Sequence, residues 1–282
     1  MNVLIVASKF PPEYSGPGVR IPRLYKAIGE DIGIKKIHVF CNSTEFTDNK
    51  DYTYENCSVR RRARNIFRQK NIITKLLPNR LNNLCMYFLD NIIGTANLKF
   101  YDDKNIDLVH IIGHSGGTAA AMKWAAQKQI PVMMELVNAT ALPEQRYLFR
   151  KIKNTGRYLI VTISDTLKQR CLARGVPEDR LWSRPNPIDE SKFYPDIDNK
   201  QTYRQNSLPF EKESVVITSI AKFIPRKNQI FLLDVLKILP AQYKLVIAGP
   251  TSTEGILKDR DSSYIESIFQ KIKALKIENR VK

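Results

Sequence analysis

The sequence predicts an α/β protein made of two doubly wound parallel-sheet units, the second of them incomplete. Three observations carry this expectation. Compact apolar runs alternate with helical candidates along the chain. The segment Ser214 to Pro250 reads strand, basic loop, helix, strand. Prolines and a polar, charge-mixed stretch separate this segment from everything before it.

Val3 to Ala7 opens the chain as a strand; the run lacks a basic leader and is too short for a signal peptide. Ile37 to Cys41, Leu108 to Ile112, Val132 to Val137 and Leu159 to Ile163 are further buried strands, with helices at Val19 to Ile28, Gly117 to Gln129 and Thr166 to Arg174. Ser164 or Asp165 caps the last of these, and Gly175 with Pro177 stops it. The expected division is a first domain over 1–185, a linker over 186–205 and a partial second domain over 206–282. In the second domain, Val215 to Ala221 is a strand rich in β-branched residues. Ile230, Leu233, Val235, Leu236 and Leu239 recur at helical spacing, and Lys244 to Ala248 is the next strand before Gly249-Pro250 breaks it.

With 43% hydrophobic residues the chain can build a sizeable core, and its formal charge of +17 implies an anionic partner. Cys41, Cys57, Cys85 and Cys171 are far apart and form no C-x-x-C pair, as expected of reduced thiols in a cytoplasmic protein. No run approaches the roughly 20 apolar residues of a membrane span. Arg60, Arg61, Arg62, Arg64, Arg68, Lys70, Lys75 and Arg80 crowd the segment Asn56 to Leu89, which holds no acidic residue. Interleaved apolar residues make it amphipathic if helical. It is read either as a solvated basic helix or as a peripheral contact, from Arg60 to Arg80, with an anionic membrane surface at the inner face of a membrane. Nucleic acid is not an expected partner, because no helix-turn-helix, zinc-finger or RNP-like pattern is present.

Lys222, Arg226 and Lys227 lie where a strand end meets a helix start. Clustered cations are unfavourable there unless an anion binds, so the alternatives are an anion site or a solvated loop. After the first strand, the loop Phe10 to Arg20 contains three prolines with Gly16 and Gly18. It is not the dinucleotide fingerprint, since the glycines come too late after the strand. It is either a forced turn or a place where backbone N–H groups approach a phosphate. Gly113 to Gly117 follows a strand, and His114 in it either contacts a sugar or caps the loop. Glu135 and Asn138 end the next strand. Either binds an acceptor, or Glu135 pairs with an arginine such as Arg146.

Taken together, Pro11-Pro12 through Gly16 and Arg20, Asp107 to His110, Ile130-Pro131-Val132, Ile163-Ser164, Gly175-Val176-Pro177, Asn186-Pro187-Ile188-Asp189 and Lys227-Asn228 resemble the retaining glycosyltransferases of family 4, over nearly the whole chain. The resemblance implies the GT-B architecture of two Rossmann-like domains. It also implies transfer of a sugar from a nucleoside-diphosphate sugar to an acceptor hydroxyl with retention, in polysaccharide or glycolipid synthesis. No metal or other cofactor is implied, and no D-x-D motif is present. Lys227 falls on the family's lysine, whereas Ala221-Lys222 stands where Gly-Arg is common, so the charge is kept and the bidentate fork lost. The resemblance gives Lys222 and Lys227 the stabilisation of the diphosphate leaving group. Gly16, Arg226, Asn228 and Gly249 fall on the donor side, and Arg20, His114, Glu135 and Asn138 are acceptor or sugar contacts, although the family's own histidine would fall nearer Ile112. Asn199 to Lys282 spans 84 residues, whereas such a donor domain usually needs roughly 150. The family's two glutamates separated by seven residues and its returning C-terminal helix are absent, so the chain is expected to be truncated, weakly active or inactive, with a poorly covered sheet edge. The alternative is a non-catalytic nucleotide-binding or scaffolding protein.

Overall fold

The computed structural model describes residues 1–282 except 14, 30, 44–45, 64–78, 114, 138–155, 192, 197–198 and 252–256, together with the side chains of 79, 80, 82, 83, 86, 200, 201, 203 and 205. The chain divides into two compact units, Met1–Pro187 and Ile188–Lys282.

Unit 1 is an eight-stranded sheet in the order β3-β4-β2-β1-β5-β6-β7-β8. The strands are β1 (Asn2–Ala7), β2 (Lys36–Ser43), β3 (Lys50–Tyr54), β4 (Cys57–Ala63), β5 (Leu108–Ile112), β6 (Val132–Leu136), β7 (Tyr158–Thr162) and β8 (Leu181–Ser183). All neighbouring pairs are parallel except β3 with β4. β1 is apolar from Val3 to Ala7 because helices cover both of its faces. Val3, Ile5, Ile37, Val39 and Ile112 pack on one side with Ile21 and Tyr25 of helix α1 (Gly16–Ile28). Leu4, Val6, Val109, Ile111, Met134 and Ile160 pack on the other with α3 (Gly116–Gln127), which crosses α2 (Asn79–Leu98). Each such buried side chain contributes about 1.5–3 kcal/mol. Helix α4 (Asp165–Leu172) is capped by Ser164, whose hydroxyl accepts from Leu167 N.

The helical reading of the basic segment does not hold at its start. Cys57–Ala63 is strand β4, paired in register with β2 and joined to β3 by a turn at Glu55-Asn56, where Glu55 has φ 50°. The reason is period-two burial: Cys57, Val59, Arg61 and Ala63 face in. Arg61 is tolerated inside because both Asp48 carboxylate oxygens lie within 2.9 Å of it, while Arg60 and Arg62 pair with Asp51. Three of the eight cations are therefore committed to local carboxylates. Arg64, Arg68, Lys70, Lys75 and the Arg80 side chain lie outside the described residues.

Unit 2 holds α5 (Lys200–Ser207), β9 (Val215–Ile220), α6 (Gln229–Ile238), β10 (Tyr243–Ala248) and α7 (Lys258–Leu275). Helix α5 takes up the end of the stretch read as a linker. β9 and β10 pair in parallel over their whole lengths, and Val281-Lys282 adds a parallel contact to β10. Leu233, Leu236, Leu245, Tyr264, Ile268, Ile272 and Ile277 form the core. Val215 and Ile220 of β9 are exposed, and among the described residues β10 is its one partner strand. Among the described residues no helix is long and apolar enough to cross a membrane.

Candidate functional site

Parallel sheets gather ligand-facing groups at the carboxyl ends of their strands, and in unit 1 the loop after β1 is pinned there by its own residues. Pro11-Pro12 is a cis peptide, the Ser43 hydroxyl donates to the buried Glu13 carboxylate, and the Tyr52 hydroxyl donates to Pro11 O. Ser15 caps α1 by accepting from Gly18 N. The two glycines differ. A Cβ at Gly16 would meet nothing within 4 Å, whereas one at Gly18 would lie 3.0 Å from Lys9 O and 3.2 Å from Ser15 Cβ. Gly18 thus serves packing, and Gly16 faces open space.

Glu135, at the end of β6, is completely buried and held by two arginines. One is Arg20, in the first turns of α1, and the other is Arg184, just past β8, with Nη2 2.9 Å from Oε1. Arg184 is a site residue that the sequence reading missed. The expected pairing with Arg146 lies outside the described residues. Two residues deeper on the same face of the sheet, His110 is buried with Nδ1 2.9 Å from the Tyr25 hydroxyl, and burial pushes it down to about 4. The same burial raises Tyr25.

The second glycine cluster has a packing explanation. Ser115 and Thr118 form a reciprocal cap at the start of α3. A Cβ at Gly116 would lie 2.0 Å from Tyr87 O of α2, and one at Gly94 3.1 Å from Gly117 Cα. These glycines let two helices cross at near backbone contact. His114 and Asn138 lie outside the described residues.

In unit 2 the loop after β9 brings Lys222, Arg226 and Lys227 to one strand end in two different settings. Lys222 is buried, its Nζ 3.3 Å from Asp261 Oδ2, and Asp261 also accepts from Arg260. Gln229 donates to Lys222 O and accepts from the Tyr264 hydroxyl, a buried chain that fixes the loop backbone. Arg226 and Lys227 stand exposed on a 3-10 turn, Pro225–Lys227, and among the described residues neither has an ion-pair partner. Asn228 takes the left-handed conformation, φ 53°, and opens α6 with no side-chain cap. Gly249 is required where strand ends meet, since a Cβ there would lie 1.8 Å from Ala221 O. Among the described residues no three His, Cys, Asp or Glu side chains gather as metal ligands.

No protein-family model matches the chain, and no curated protein matches it by sequence. Solved structures do match in shape. HepE of Anabaena in complex with UDP is 14% identical, with a TM-score of 0.62, all of this chain covered and 68% of HepE. A glycosyltransferase from Rickettsia africae is 13% identical, with a TM-score of 0.54, all of this chain covered and 67% of its own length. The UDP-GlcNAc 2-epimerase of Neisseria meningitidis, bound to UDP-GlcNAc, is 14% identical, with a TM-score of 0.50, 95% of this chain covered and 70% of its own. The fold is the α/β fold of GT-B glycosyltransferases.

Proposed function

We propose that the protein is a retaining glycosyltransferase that moves a sugar from a nucleoside-diphosphate sugar to an acceptor hydroxyl, in polysaccharide or glycolipid synthesis. One observation carries the proposal. Arg226 and Lys227, exposed and without acidic partners among the described residues, sit at the carboxyl end of β9 where the uncapped α6 begins. Cations in that place are repelled by the helix dipole unless an anion sits between them. Breaking a sugar–phosphate bond builds charge on the departing diphosphate, and a fixed donor that tightens on that charge stabilises the transition state by about 3 kcal/mol. Lys227 and Arg226 supply those donors, with Asn228 as a further donor-side contact. HepE with UDP and with UDP-glucose supports the choice of ligand. No metal is assigned to the reaction.

Lys222 reaches a diphosphate only by leaving Asp261, and this favours a second reading in which the loop binds nucleotide without catalysing transfer. Saturation-transfer NMR with UDP-glucose, UDP and ATP tests nucleotide-sugar recognition. Transfer to the uridine protons of UDP-glucose, displaced by UDP and not by ATP, is expected; no transfer up to millimolar ligand contradicts it. If product forms, its anomeric configuration tests retention.

An anionic lipid surface is the second proposed partner, at the inner face of a membrane in the cytoplasm. It is supported by α2, where Leu81, Leu84, Cys85, Phe88 and Ile92 form an exposed stripe at helical spacing. Asp90, the acidic residue of that helix, is buried away from the stripe.

A further inference from the structure

We infer that Arg20 and Arg184, held by Glu135, form a receptor for an oxyanion on the acceptor, a carboxylate or a phosphate ester. The word acceptor rests on the transferase reading; the anion site rests on the geometry of unit 1 alone. Among the described residues two guanidinium groups share one carboxylate, which leaves a local charge of about +1 in a place shielded from water. Arg20 and Arg184 are only 15% and 16% exposed, and Glu135 is 0% exposed. Glu135 therefore cannot present itself to a ligand. It is a positioning residue that fixes both forks at the carboxyl ends of β6 and β8.

The donors are not all used. Arg20 Nη1 is buried and has no hydrogen-bond partner among the described residues. Arg184 spends Nη1 on Pro185 O at 3.2 Å, and its guanidinium lies 5.3 Å from the Trp182 ring centroid. An unsatisfied buried donor on a charged group costs more than a neutral one and calls for an oxygen beyond those of the described residues. A fixed planar fork fits a carboxylate or phosphate and gives little preference among neutral hydroxyls. His110, deeper on the same face, adds no charge of its own near neutral pH because burial keeps it unprotonated. The excess charge is therefore that of the arginines.

The test titrates the whole chain with D-glucose, D-glucuronate and glucose 6-phosphate, and separately with UDP, by calorimetry. At least one of the two anionic sugars is expected to bind tenfold or more tightly than glucose, and which of them does so tells carboxylate from phosphate. Arg20→Met should lower that preference at least tenfold, and Arg20→Lys should retain part of it. Arg20→Met leaves Glu135 paired with Arg184; should a circular-dichroism melt show it unfolded, Arg184→Met takes its place. Equal binding of all three sugars, or an anionic preference that survives the arginine substitution, overturns the inference. UDP binding without the preference leaves the transferase reading standing, and the preference without UDP binding leaves the anion site standing.

Discussion

At position 110 a histidine lies inside the sheet's helix-covered face, hydrogen-bonded to Tyr25 and beneath a cluster of charged side chains. Its folded value of about 4 is below the ordinary 6.5. Between those values the unfolded chain binds a proton that the folded chain refuses, so stability falls as pH drops from 6.5 to 4. The loss amounts to about 3 kcal/mol for this group. Urea unfolding of wild type and His110→Gln at pH 7 and pH 4.5 should show the gap between the two proteins narrowing or reversing at the lower pH. Parallel losses would contradict the assignment. Residue-level chemistry was only partly legible in the sequence. Glu135 stood out as a polar break in an apolar run. Its partners Arg20 and Arg184 lie 115 and 49 residues away, and no local pattern announces pairings of that range. Asp261 was hidden for the same reason, since it meets Lys222 from a helix 39 positions later (261 − 222 = 39).

At the scale of elements, the apolar runs gave β1, β2, β5, β6 and β7, because strands buried on both faces need no alternation to be recognised, and they gave β9 and β10 as well, although Val215 and Ile220 of β9 are exposed. β3 and β4 escaped notice because they lie toward the sheet edge and have no compact apolar run. In β4 even the inward position 61 is an arginine neutralised by Asp48. The glycines of the second loop serve packing, since a Cβ at Gly116 would meet Tyr87 and Asp90 of α2 and one at Gly117 would meet Asn42 of β2. Helix α2 poses the opposite problem, since its outer face is apolar and uncovered at Phe88 and Ile92, 58% and 66% exposed. A lone Leu on a surface is ordinary, but a stripe along three turns marks a contact surface. In a vesicle sedimentation assay the chain should pellet with anionic vesicles and not with neutral ones, and Phe88→Asp with Ile92→Asp should abolish pelleting. Equal pelleting with both vesicle types, or retention by the double variant, would remove the lipid surface as a partner.

For the whole molecule, an excess of 17 positive charges and the GT-B fold point the same way, toward anionic ligands at the strand ends of an α/β sheet. The fold alone is shared by a glycosyltransferase and by a UDP-GlcNAc 2-epimerase, so the distinguishing content lies in side chains. In unit 2 these are the exposed pair Arg226 and Lys227; in unit 1 they are the two arginines clamped by Glu135. The central claim is that the turn between β9 and α6 holds the diphosphate of a nucleotide sugar. Calorimetric titration of UDP into wild type and into the Arg226→Ala, Lys227→Ala double variant tests it most directly, at two salt concentrations because the contact is ionic. The account predicts saturable binding by wild type, weakened by added salt, and at least tenfold weaker in the variant. No binding by wild type at millimolar UDP, or equal affinity in the two proteins, would contradict it.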